Sequence, residues 1–135
     1  MTEYRGQCLC GAVRYVITAE APEAMFLCHC SRCRKETGTI HCANVFFADA
    51  AELEWERGGD ELSFYALEGT RKQRWFCRNC GSPMPGRYPS GRVGLPAGSL
   101  DDSSLVEPTA HIFCASSAAW ADDVAELARF DEFPG

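Results

Sequence analysis

The chain has 135 residues, of which 46% are hydrophobic, 24% charged and 11% aromatic, so the expectation is one domain spanning residues 1–135, with no room for a second of ordinary size. Thirteen basic against nineteen acidic side chains give a formal charge of −6. That is the opposite of the basic footprint that binding a phosphate backbone requires, and it disfavours a nucleic-acid partner. No apolar stretch of signal-peptide length follows Met1, and no run approaches the roughly 18 apolar residues of a membrane span. The expectation is a soluble cytoplasmic protein with no membrane partner, whose cysteines stay reduced.

Short alternating runs of apolar and aromatic residues predict strands, in chain order, at Val13–Ile17, Ala43–Phe47, Leu53–Trp55, Leu62–Tyr65 and Trp75–Cys77. Turn formers separate them, among them Gly58-Gly59-Asp60, Gly81-Ser82-Pro83 and Tyr88-Pro89-Ser90-Gly91. Helix signals are few. Ser31 is placed to cap a short turn from Arg32 to Thr37 that stops at Gly38, and a weaker helical pattern runs through Ala118–Leu127. The aromatic ending, Phe130 to Phe133, is expected to pack back on the body. No repeat or low-complexity tract is present, and the pattern predicts an all-β fold.

Nine cysteines in 135 residues fall below the roughly 8–10% of a secreted disulfide scaffold, and the count is odd. A chain this long does not need cross-links merely to make a core. Seven of the nine form three tight groups. Cys8 and Cys10 form C-x-C, and an extended backbone there would put both sulfurs on one face. Cys77 and Cys80 form C-x-x-C followed by Gly81, the pattern of a zinc knuckle. These two pairs supply the four thiolates that close a tetrahedral structural zinc site. Cys28, Cys30 and Cys33 make a three-cysteine group with no fourth partner nearby, and three protein ligands are what catalytic zinc sites keep while leaving a position for substrate. A thiolate-rich ion with an open position favours a sulfur-containing substrate. Spacing does not choose the pairing: Cys28, Cys30 or Cys33 could equally join Cys77 and Cys80. Cys42 and Cys114 sit singly in apolar runs and read as buried core thiols.

These groups resemble a known family. Cys8-Leu9-Cys10-Gly11-Ala12-Val13-Arg14-Tyr15, Cys28-His29-Cys30-Ser31-Arg32-Cys33-Arg34-Lys35 with Thr37-Gly38, Phe76-Cys77-Arg78-Asn79-Cys80-Gly81-Ser82, and His111-Ile112-Phe113 followed by Trp120 are similar, in order and over nearly the whole chain, to the glutathione-dependent formaldehyde-activating enzymes (the GFA domain, shared with a centromere protein). The resemblance implies a β-tent fold of short antiparallel strands with zinc knuckles. It also implies the pairing: Cys8, Cys10, Cys77 and Cys80 around a structural Zn2+, and Cys28, Cys30 and Cys33 around a catalytic one. The implied activity is that of a carbon–sulfur lyase, the reversible condensation of formaldehyde with glutathione to S-hydroxymethylglutathione. The alternative is a zinc-stabilised binding module of the same fold.

Glutathione carries two carboxylates, and Arg32, Arg34, Lys35, Arg71, Arg74 and Arg87 are the cations available to meet them. Arg34 and Lys35 are the preferred candidates because the turn carries them beside Cys33. His29, between two cysteines, is expected to face away from the metal into a supporting or surface role. His41 and His111 read as packed strand residues, and Trp55, Trp75 and Trp120 as core or near-core aromatics. The oligomeric state is left open.

Overall fold

A computed structural model describes all residues, 1–135, as eleven short strands and one helix. The elements are β1 (Thr2–Gln7), β2 (Arg14–Ala19), β3 (Ala24–Cys28), α1 (Ser31–Thr37), β4 (Cys42–Phe47), β5 (Glu52–Arg57), β6 (Leu62–Ala66), β7 (Gln73–Cys77), β8 (Pro83–Met84), β9 (Gly86–Arg87), β10 (Val93–Pro96) and β11 (Ala110–Ile112). No helix is long and apolar enough to cross a membrane.

The strands form three sheets, ordered β1-β2-β5, β11-β3-β4-β10-β9 and β6-β7-β8. All pairings are antiparallel except β3 with β11, where His111 runs beside Leu27 in parallel. The long connection from β4 through β10 lets the chain return in the same direction, which a hairpin could not do. Alternation works as the sequence suggests along β2 and β4. Tyr15, Ile17, Val45 and Phe47 are fully buried and meet Val93 and Leu95 of β10 in the main core. Burying each such side chain contributes roughly 1.5–3 kcal/mol. Tyr4 and Phe47 pack edge to face at 4.9 Å. Gly86 is required where it stands, because a Cβ there would lie inside the Trp75 ring.

The all-β reading holds, with corrections at both kinds of element. The cap of α1 is Cys30, whose sulfur accepts from the Cys33 N–H, and Gly38 closes the helix with φ 67°. Ser31, the expected cap, is the first helical residue. The Ala118–Leu127 pattern yields only a 3-10 turn at Ala121–Asp123, because Val124 and Leu127 have no surface to pack on and stay exposed. Trp120, Phe130 and Phe133 are also exposed, so the C-terminal aromatics do not fold back and Trp120 is not a core residue. Trp55 and Trp75 are half-buried, Trp55 against Tyr15 and Trp75 against Tyr88.

Candidate functional site

The cysteines gather into two clusters. In the first, the sulfurs of Cys8, Cys10, Cys77 and Cys80 all lie within 4.8 Å of one another. Cys8 and Cys10 are not extended as expected. They occupy a turn after β1, closed by the Gly11 N–H on the Cys8 carbonyl with Gly11 at φ 80°. The second half repeats this device: the Gly81 N–H bonds the Cys77 carbonyl, again with φ 80°. Two glycine-closed turns thus face each other.

The spacing fits a metal. A tetrahedral site with bonds of about 2.3 Å separates its sulfurs by about 3.8 Å, and the contacts are 3.7 Å for Cys8–Cys10 and 3.9 Å for Cys10–Cys77. Three of the four sulfurs receive a polar hydrogen or stand against a hydroxyl. The Val13 N–H donates to Cys8 and the Asn79 amide to Cys10, each at 3.3 Å, and the Ser82 hydroxyl lies 3.2 Å from Cys80. Ser82, through its hydroxyl and backbone, pulls the Cys80 thiol down to about 5, whereas burial pushes Cys77 up to about 11. The Asn79 amide lowers Cys10 as well.

The second cluster differs from the expected trio. Cys28, Cys33 and Cys42 are buried, and their sulfurs lie within 4.8 Å of one another. Cys30 borders them at the helix cap, half-buried and packed against the same group. Reading Cys42 as an isolated core thiol missed its neighbours, because its place depends on strand register: Cys28 ends β3 directly opposite Cys42, which begins β4. Cys114, the other supposed core thiol, is exposed.

Polar groups line this cluster too. Lys72 places its ammonium 3.4 Å from the Cys33 sulfur and 2.7 Å from Glu36. Burial works against the Lys72 charge, but the hydrogen bond and charge of Glu36, joined by the sulfurs of Cys33 and Cys42, hold its pKa above the ordinary lysine value. The Asn44 amide donates to the Cys42 sulfur at 3.3 Å. Burial pushes Cys28 up to about 12. The Cys33 thiol is raised first by its bond to Cys42 and then by burial, and the same bond lowers Cys42.

Three histidines surround the loop between these cysteines. His29 is buried, its ring 5.0 Å from both His41 and His111, and its Nε2 lies 2.8 Å from Nδ1 of His111. Burial first, then the charges of His41 and His111, lower its pKa. His111, expected to be packed, is exposed overall and reaches the group only through its ring.

Of the candidate cations, α1 carries Arg34 and Lys35. Arg34 is half-buried with its Nε buried and unpartnered, while Lys35 is exposed. Arg74 is committed elsewhere, donating to the Glu36 carbonyl of α1 and to the Gly81 carbonyl of the knuckle, both at 2.7 Å. Arg87 is likewise spent on the carbonyls of Asp49, Ala51 and Gly91. Arg32 and Arg71 are exposed. A cleft lined by Arg74, Trp75 and Tyr88 shares Glu36 and Asn44 with the second cluster's surroundings. A second cleft, between Pro22–Met25 and Ser104–Thr109, carries neither cysteine nor histidine.

Known proteins are similar to this chain in sequence. The family profile described as glutathione-dependent formaldehyde-activating enzyme matches residues 3–116. A Halomonas elongata protein provisionally named as such an enzyme is 30% identical over 126 residues, which cover 87% of this chain and 78% of that protein. An uncharacterised lyase of Schizosaccharomyces pombe is 30% identical over 92 residues, 68% of this chain and 63% of that relative's length. This chain therefore spans slightly under two-thirds of the latter protein. A crystal structure of a Rhodobacter sphaeroides protein matches with a TM-score of 0.59 at 24% identity, over 79% of this chain and 98% of that one, a likeness of fold. Since the matched span contains all nine cysteines and both clusters, the chain belongs to the glutathione-dependent formaldehyde-activating enzyme family.

Proposed function

We propose that this protein is a zinc-dependent carbon–sulfur lyase that reversibly condenses formaldehyde with glutathione to S-hydroxymethylglutathione. The observation that carries the reading is a second group of thiols, separate from the four-sulfur site, at the N-terminal end of a helix that also presents Arg34 and Lys35. Cys8, Cys10, Cys77 and Cys80 hold a structural Zn2+. Cys28, Cys30 and Cys33 would hold the catalytic one and leave a position for a thiol. A Zn2+ bound there would supply an electrophilic centre that lowers the pKa of an incoming thiol.

The chain's own groups do the rest. Arg34 and Lys35 grip the carboxylates of glutathione, Lys35 from an exposed and Arg34 from a half-buried position on α1. Lys72 keeps a positive charge against the thiolates, offsetting the negative charge that three or more of them gather in a partly buried place. In the forward reaction the S–C bond forms, the C=O π bond opens, and the thiol proton ends on the former aldehyde oxygen. The partners are therefore a small thiol and a small aldehyde, in a cytoplasmic setting where glutathione is abundant.

NMR exchange spectroscopy at equilibrium tests this. The zinc-loaded protein should accelerate interconversion of glutathione and its hydroxymethyl adduct, and Cys33→Ser should abolish the acceleration. An unchanged rate with the loaded protein rejects the lyase reading. It would favour the zinc-stabilised binding module, in which Cys33→Ser spares function while Cys80→Ser unfolds the chain.

A further inference from the structure

We infer that Cys42 is a ligand of the second metal, so that in the resting protein this site is a closed four-thiolate site of Cys28, Cys30, Cys33 and Cys42. The inference deepens the proposed function and rests on its second metal: the substrate thiol would then enter by exchange with a protein thiolate instead of filling a vacant position.

Three observations carry it. The sulfurs of Cys28, Cys33 and Cys42 all lie within 4.8 Å of one another. Its position is fixed by the β3–β4 ladder, with Cys28 and Cys42 directly opposed, so their side chains project from the same face of the sheet. Cys30 stands at the edge of the group through the turn that starts α1. It is the least buried of the four.

The surroundings of Cys42 are those of a metal thiolate. In the four-sulfur site, the Asn79 amide donates to Cys10 at 3.3 Å and the Val13 N–H to Cys8 at 3.3 Å. In the second cluster, the Asn44 amide donates to Cys42 at 3.3 Å, the Cys33 N–H to Cys30 at 3.3 Å and the Lys72 ammonium to Cys33 at 3.4 Å. A buried thiol used only for packing gains little from an amide aimed at its sulfur, whereas a thiolate carries the charge such a donor meets. Charge points the same way. Four thiolates on a divalent ion leave a net −2, and the half-buried Lys72 supplies a cation where a bare dianion would be costly.

The order of exchange follows from burial. Cys28, Cys33 and Cys42 are enclosed, while Cys30 is half-exposed and already shares its sulfur with the helix cap. Cys30 would therefore be the ligand an incoming thiol displaces most readily, its sulfur taking up the proton that the thiol gives up on binding, with three buried thiolates left in place.

Cadmium-113 NMR of the full chain loaded with cadmium reads each site separately, because the shift depends on the number of bound sulfurs. The expected result is two resonances, both in the four-thiolate range. In Cys42→Ser and Cys42→Ala, one of them moves to the range of three sulfurs with an oxygen or nitrogen, or vanishes. Release of the second metal to a chelator should also quicken roughly tenfold or more, the size of effect seen when a supporting group at a metal is lost. A wild-type spectrum with one four-thiolate and one three-thiolate resonance overturns the inference and leaves the open-site reading standing. A single resonance, unmoved by either substitution, overturns the inference and the second metal together. Because the wild-type spectrum alone separates these outcomes, a variant that fails to fold leaves the question decided.

Discussion

The two cysteine clusters hold comparable sets of sulfurs by different means. The first is built from two local turns, each closed by a glycine at φ 80°, and Cys8, Cys77 and Cys80 pack into the main hydrophobic core. The second takes its sulfurs from the end of one strand, the cap and first turn of a short helix and the start of the next strand, and forms a small separate group. A cluster that is part of the core is tied to whether the chain folds. A cluster at the margin, beside an ammonium and three histidines, can change its ligands without unfolding anything. That contrast supports the proposed division, with stability in one site and chemistry in the other.

The largest test of that division is Cys80→Ser against Cys33→Ser. Losing a ligand of the core site should remove several kcal/mol, a large part of the roughly 5–15 kcal/mol that holds an ordinary domain together, and circular dichroism should show an unfolded chain. Cys33→Ser should keep the fold and cost only about 1–2 kcal/mol. Equal melting temperatures for the two variants would break the comparison.

Next in size is Arg74, the one side chain that reaches both regions. It donates to Glu36 of α1 and to Gly81 of the knuckle. Replacing it with alanine removes two hydrogen bonds from a charged group, worth roughly 1.5–3 kcal/mol each, and denaturant titration should report a loss of that order. Lys72→Met should be milder and confined to one side. It should loosen the second metal by about tenfold to a hundredfold, read by competition with a chelator, while the first metal stays bound.

The smallest effect is on pH dependence. His29 is kept neutral by burial, then by His41 and His111, so its folded pKa lies below its unfolded value. The unfolded chain then binds more protons, and stability is lost as pH falls through the ordinary histidine range near about 6.5 toward the folded value. His29→Gln should flatten that part of the stability-against-pH curve. An imidazole NMR titration should find His29 neutral where a free imidazole is half protonated.

Much of this was legible in the residues. Alternation predicted β2, β4 and β5 because one face of each meets the core, and β6 and β7 as well, although Phe64 and Tyr65 of β6 lie at the surface. The C-x-C and C-x-x-C motifs each marked a local pair, but spacing left their partners open, and it was the family resemblance that implied the first cluster, because the two pairs lie far apart in the chain. Strand β3, which carries Cys28, was not predicted, since Ala24–Cys28 is apolar throughout and lacks alternation. That same ladder hid Cys42, whose partner is set by register across the helix and not by spacing. Lys72 carried no signal for the same reason, as it meets Cys33 and Glu36 only after distant segments pair.

The separation of 67 positions between Cys10 and Cys77 carries a further consequence, for the unfolded chain. Joining two points that far apart takes roughly 4 kcal/mol of loop-closure entropy from the denatured ensemble, against roughly 3 for the short span from Cys28 to Cys42. A metal in the first site acts on the disordered chain as a long-range cross-link, and its contribution should survive substitutions that loosen the native packing around it. The short loop of the second site forms at a smaller entropic cost, so its cysteines can meet while most of the chain is still searching. The order in which the two sites assemble is thereby written into the distances between cysteines along the sequence.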